Sequence, residues 1–196
     1  MLFGPMFYRR IRKLRNWQQQ IFATALAQRM LPNYTAFMGD ACGEGTRLLG
    51  ETLEQLWLYA SGISDVPDWR PVRRSLHALL LPEEQGDQFG VRASNEAVKC
   101  VLAAVGSVLE HTGNESSEAS ELSVSTVIAS QAASLGREMA EEEILENEAV
   151  QGELDFQMEL VRRLSGHRSP EFIRSIRTLA ANEGYSNIGI PAGEGD

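Results

Sequence analysis

SNEAVKCVLAAVGSVLEH, residues 94–111, is the stretch on which the fold class turns. Read at the pitch of an α-helix, Val98, Val101, Leu102, Val105 and Leu109 share one wide apolar face, the pattern of a helix packed deep among others. The apolar run Val98 to Leu109 is too short for the ~20 residues that cross a bilayer, and it contains Lys99. It therefore reads as the central helix of a water-facing fold.

Working outward, helical periods recur in nearly every long segment, and no segment shows the apolar/polar alternation with β-branched residues that marks strands. Towards the N-terminus, Ile11, Leu14, Ile21, Phe22 and Ala25 predict a helix from Tyr8 to Met30 that Pro32 should end. Asn33 caps a short second helix through Tyr34, Phe37 and Met38, which Gly39 to Gly45 should break. Leu49, Leu53, Leu56, Trp57 and Ala60 make the next stripe, with Gly62 as a left-handed stop, and Val72 to Leu81 forms a shorter helix before Pro82.

On the C-terminal side, Thr112 to Ser117 reads as a turn. Glu118 to Met139 aligns Val124, Ile128, Ala132, Leu135 and Met139, with many small residues that permit close approach. Val150, Leu154, Met158, Val161 and Leu164 carry a further helix up to Gly166. The last helix has the clearest start, with Ser169 as N-cap, Pro170 at the first helical position and Glu171 in the first turn; Phe172, Ile173, Ile176, Leu179 and Ala180 follow, and Gly184 closes it.

These readings predict an all-α, single-domain bundle of about seven to eight helices with no significant sheet. The domain should cover residues 1–190, with 191–196 as a disordered tail. At 196 residues the chain is long enough to bury its own core, and 43% apolar with 23% charged residues is ordinary globular composition. Eleven of the fourteen aromatic residues lie at or before Phe89, whereas the C-terminal half supplies Leu, Ile, Val and Ala. Such complementary inventories argue for two halves packed on each other.

Charge is divided unequally. Residues 1–74 hold ten Lys/Arg and six Asp/Glu (+4), and the remainder carries −13, so the net charge of −9 disfavours nucleic acid and anionic lipid as partners. The basic arm of Arg9, Arg10, Arg12, Lys13 and Arg15 with Phe3, Phe7 and Tyr8 could still touch phosphates, but Ile11 and Leu14 continue a core stripe, which makes the arm a solvated helix face. Cys42 and Cys100 belong to no CxxC pair, and the N-terminus has no secretory h-region; reduced thiols and a cytoplasmic protein are expected.

Patterns that carry chemistry are missing. A Glu-x-x-His pair would present a carboxylate and an imidazole to one metal, but Arg74, Val108 and Leu164 stand three residues before His77, His111 and His167. Glu138, Glu142 and Glu146 recur every fourth residue and outline a cation site, though acid runs of this kind are normally solvated surface. Gly43-Glu44-Gly45 is a lone GxG without a strand before it, and no GxSxG elbow occurs. No catalytic residue, metal ligand or cofactor is assigned.

The informative anomaly is a set of glutamines. Gln18, Gln131 and Gln157 each fall within the apolar arc of a predicted helix. A buried amide left unpaired costs ~1–3 kcal/mol, so each must be hydrogen-bonded or face a hydrated space. Two arrangements meet that demand: one shared buried polar cluster or pocket, or separate bonds to backbone carbonyls.

Trp17-Gln18, Pro32-Asn33-Tyr34, Gly136-Arg137-Glu138-Met139, Asp155-x-Gln157 and Ser186-Asn187-Ile188-Gly189-Ile190 together resemble the YjaG-like family of bacterial proteins of unknown function, in order along nearly the whole chain. The resemblance implies an all-helical cytoplasmic protein and brings no catalytic mechanism, cofactor or partner. The leading expectation for function is a non-enzymatic helical protein acting through an unidentified protein partner or as a homodimer. The alternatives are a small-ligand-binding protein or enzyme using the glutamines with Arg137 and Glu138, and, last, weak nucleic-acid or membrane-surface binding by the basic arm.

Overall fold

Helical periodicity becomes helix throughout the computed structural model, which describes residues 4–38, 43–63, 68–82 and 88–193. Nine α-helices follow one another among the described residues: α1 (Pro5–Arg12), α2 (Asn16–Met38), α3 (Gly43–Ala60), α4 (Trp69–His77), α5 (Gln88–Leu109), α6 (Asn114–Leu135), α7 (Glu141–Glu146), α8 (Glu148–Arg163) and α9 (Pro170–Ala181). There is no sheet among them; one isolated bridge pairs Tyr185 with Pro191. The chain is a single all-α domain whose main core runs from Ile11 and Phe22 through Trp57 and Val101 to Ile176.

The first predicted helix is two helices, and the reason lies in its glutamines. Gln18 Oε1 accepts the Arg15 backbone N–H at 2.7 Å and so supplies the new N-terminus, while Gln19 Nε2 donates to Leu14 O at 2.8 Å and Arg12 O at 3.3 Å and satisfies the old C-terminus. Side-chain amides thus stand in for the interrupted backbone ladder. Pro32, expected as a terminator, lies inside α2. A mid-helix proline costs ~3 kcal/mol, and here burial on nearly every side of α2, continuous from Gln18 to Ala27, outweighs it.

α2 packs most extensively on α5, and α5 on α6; α3, α6 and α9 also close around α2. One start and one stop follow their signals: Ser169 Oγ accepts Phe172 N–H at 3.1 Å ahead of α9, and Gly62 takes φ +70 behind α3. One stripe is rotated from expectation and another departs at a single position. In α6 the buried residues include Ser116, Ala119, Ser120, Ser123 and Val127, the helix ends at left-handed Gly136, and Leu135 is exposed. In α8 Val150, Leu154, Val161 and Leu164 face inward as read, Glu153, Gln157 and Leu160 join them, and Met158 alone of the expected stripe turns out. Cys42 lies outside the described residues; the thiol of Cys100 is buried and free, and burial pushes it up well above its ordinary value.

α2 and α3 meet where Gly45 lies against the buried ring of Tyr34, so close that a Cβ there would run into the phenol. Gly45→Ala should lower stability by about 1–3 kcal/mol, as overpacking does elsewhere, and Tyr34→Phe in the same chain should recover part of the loss. Urea unfolding followed by circular dichroism checks both.

Candidate functional site

The three glutamines that interrupt apolar stripes all bear on α8, at different heights. Gln18 Nε2 donates to the carbonyl of Leu164, the residue that ends α8. Gln131, half-buried on α6, accepts at 3.3 Å from Asn147 Nδ2, and Asn147 Oδ1 in turn caps the start of α8 through Val150 N–H at 3.1 Å. Gln157 sits in the middle of α8, fully buried. Since α8 is 16 residues long, and each residue adds ~1.5 Å of rise, its two ends are separated by most of the width of the bundle. No hydrogen bond joins one of these glutamines to another among the described residues.

Around Gln157 the polar groups do converge. Its Oε1 accepts from Ser120 Oγ at 2.6 Å, and its Nε2 donates to Glu153 Oε1 at 2.9 Å. The Glu153 carboxylate also accepts from Ser123 Oγ at 2.7 Å and from Arg29 Nε at 3.4 Å. Asn187 completes the set from the C-terminal segment, donating to Ser123 O at 3.0 Å while its Oδ1 accepts from Asn33 Nδ2 at 2.9 Å. Arg29 lies 4.1 Å over the ring of Phe156. Arg29, Asn33, Ser120, Ser123, Glu153, Gln157 and Asn187 are all buried, so this network ties α2, α6, α8 and residues 185–192 into one unit.

Sequence reasoning missed Arg29, Asn33, Glu153 and Asn187 as network members. Arg29 and Glu153 could have been found as charges within helices that are otherwise apolar on that side; Asn187 carries no local signal, because its partners lie 64 and 154 residues away.

Arg137 and Glu138 lie elsewhere in role. Both are exposed, and Arg137 forks onto Glu143 with Nη1 at 2.8 Å and Nη2 at 2.6 Å, while Glu143 also accepts Ala140 N–H at 2.8 Å at the start of α7. Glu138 precedes that helix, and the extended backbone of Ala140 separates it from Glu142 and Glu146. Among the described residues no group of His, Cys, Asp or Glu could hold a metal ion, and no helix is long and apolar enough to cross a membrane.

A second feature is apolar. Between α1 and α8 runs a groove of about 410 Å³ lined by Met6, Phe7, Leu154, Met158 and Val161, with Arg10 and Gln151 at its edges. Met6 is 67% and Met158 48% exposed, which for large apolar side chains lining one groove is unusual on a folded surface. The face of α8 that buries Gln157 and Glu153 leaves Met158 outside.

Removing one partner of a buried ion pair strands the other, so Arg29→Met should destabilise by about 3–5 kcal/mol, and Arg29→Met with Glu153→Gln should recover much of that. Denaturation midpoints decide it. At the surface, the Arg137 fork and the Ala140 N–H hold Glu143 down at about 2, below its ordinary 4.5. Because the folded value is depressed, this contribution to stability is present above the unfolded value near 4.5 and is lost as pH falls through about 2. Carboxyl NMR titration should show that low midpoint, and Arg137→Ala should return it towards the ordinary range.

Residues 6–191 match the family described as "Protein of unknown function (DUF416)". The chain is 29% identical over 197 residues to the uncharacterized protein YjaG of Escherichia coli K12, covering 97% of this chain and 98% of that one. It is 29% identical over 189 residues to an uncharacterized protein of Haemophilus influenzae, with 93% and 95% covered. The crystal structure of a DUF416 family protein from Shewanella baltica superposes with a TM-score of 0.82 at 26% identity, covering 94% of this chain and 98% of that one. With the family match spanning nearly its whole length, this chain belongs to the DUF416 family, whose function is unknown.

Proposed function

We propose that this protein is a non-enzymatic helical pairing module whose partner is a second copy of the chain, seated on the α1–α8 groove. The observation that carries the reading is the exposure of Met6 and Met158 on facing walls of that groove. Methionine is flexible and polarizable, and surfaces rich in it adapt to an incoming apolar face. Charge favours self-pairing. The α1 wall carries Arg9, Arg10 and Arg12 without an acid, and α8 carries exposed Glu148 and Asp155 beside the groove, while its Glu159 is already paired with Arg162 and Arg163. A two-fold axis through the groove sets each basic wall against the partner's acidic wall, which is the self-complementarity that an isologous dimer needs.

In this reading Gln18, Gln131 and Gln157 are fasteners of α8, and the buried network behind it keeps the pairing face rigid. Arg137 and Glu138 belong to the turn between α6 and α7. A cytoplasmic setting is in keeping with the unpaired, buried thiol of Cys100.

Sedimentation velocity on the full chain should give a dimer. Met158→Glu, at an exposed position, should give a monomer with an unchanged circular dichroism spectrum. A wild-type monomer at all concentrations, or a dimer indifferent to Met158→Glu, would defeat the proposal.

A further inference from the structure

The break between α1 and α2 opens a second concavity, on elements other than the pairing groove. It is a cavity of about 600 Å³ at the N-terminus of α2, and Arg15, Trp17, Gln20, Tyr59, His111 and Arg168 line it. Three of these six side chains are basic and none of the described lining residues is acidic, in a chain whose net charge is −9. Segregation of this kind marks a place prepared for an anion.

Each basic group is set in place or left free. Arg168 is held by its Nε, which donates to Ala60 O at 2.8 Å, and by its Nη2, which donates to Ala60 O at 2.6 Å and Tyr59 O at 3.2 Å. Its Nη1 takes no partner among the described residues. The guanidinium of Arg15 enters no ion pair or hydrogen bond among the described residues, and its backbone leads directly into α2. The 23 residues of that helix aim the positive end of their dipole at the same space, where the N–H groups of Asn16 and Trp17 take no acceptor among the described residues. His111 occupies the left-handed region, with φ +53, a conformation that a non-glycine residue adopts at a cost and that recurs at functional sites.

The remaining walls describe the rest of the ligand. Trp17 is fixed edge-on against Phe172, with centroids 6.2 Å apart, and together with Tyr59 it offers aromatic surface. Gln20 is only 3% exposed. Its Nε2 is spent on Leu56 O at 3.0 Å and Thr24 Oγ1 at 3.4 Å, while no described group donates to its Oε1. That oxygen borders the cavity and can accept an N–H from whatever enters it.

We infer that this cavity binds a nucleoside monophosphate, its phosphate at Arg15, His111, Arg168 and the α2 N-terminus, its base against Trp17 and Tyr59 with an N–H on Gln20. A free nucleotide suits the cavity better than a strand, because the acidic remainder of the surface repels a polyanion.

Calorimetric titration of the full chain with AMP, GMP, CMP and UMP, beside inorganic phosphate and a short single-stranded RNA, tests the assignment. At least one nucleotide should bind more tightly than inorganic phosphate. Arg15→Ala should weaken it about tenfold or more, the loss expected for one charge-assisted hydrogen bond. His111→Gly should weaken it as well while leaving the melting temperature of the free protein the same or higher, since glycine relieves the left-handed backbone. No binding by any nucleotide overturns the inference. So does phosphate binding as tightly as the nucleotides, RNA binding more tightly than they do, or affinity unchanged in both variants.

Discussion

A helix buried on nearly every side imposes a constraint that the rest of this molecule answers. α2 satisfies most of its backbone internally, and several of the polar side chains buried with it take their partners from neighbouring elements. Gln18 reaches the end of α8, Gln20 the carbonyl of Leu56 on α3, Arg29 the carboxylate of Glu153, and Asn33 the amide of Asn187. These contacts fix where the neighbours sit along α2, a specification that apolar packing alone would leave looser. Apolar burial drives the collapse, and the polar groups select one register within it.

α8 shows the consequence most plainly. Its inward face is apolar at Val150, Leu160 and Val161 but polar at Glu153 and Gln157, and α6 accommodates it with serines at 120 and 123 in place of larger apolar residues. The ion pair with Arg29 is a poor source of net stability, since desolvating two charges costs much of what their attraction returns. Its value is positional. Asn187 then sews residues 185–192 onto the same centre, and the backbone of Arg29 accepts its N–H at 3.3 Å.

Both surface features follow from these interior demands. The face of α8 that turns Glu153 and Gln157 inward leaves Met158 outside, which makes the apolar groove beside α1. Breaking the first helix at Lys13 to Arg15 creates the N-terminus of α2, and with it the basic cavity that Arg168 and His111 complete. A continuous first helix would have offered neither a positive helix end nor the free arginine at its start. Groove and cavity are thus by-products of satisfying buried amides, available for use because they lie where the bundle's own needs push side chains outward.

The all-α class, the central place of residues 94–111, the Ser169 cap and the Gly62 stop were legible in the sequence because each depends on residues within a few positions of one another. The three glutamines were legible as anomalies for the same reason: a polar residue in an apolar arc is a local fact. Which partners they take was not, because Leu164 lies 146 residues from Gln18, and Asn187 lies 154 from Asn33. Pro32 and the break before Asn16 were misread on local propensity, which burial and side-chain capping overrode. The sequence by itself determined that the chain is helical and roughly where most helices lie, with close bounds only at the end of α3 and for α8 and α9, since periodicity and caps act over one or two turns. Only the tertiary structure decided how α6 is rotated, what the buried charges meet and which apolar and basic groups stay outside, because those depend on the simultaneous satisfaction of groups brought together from distant parts of the chain.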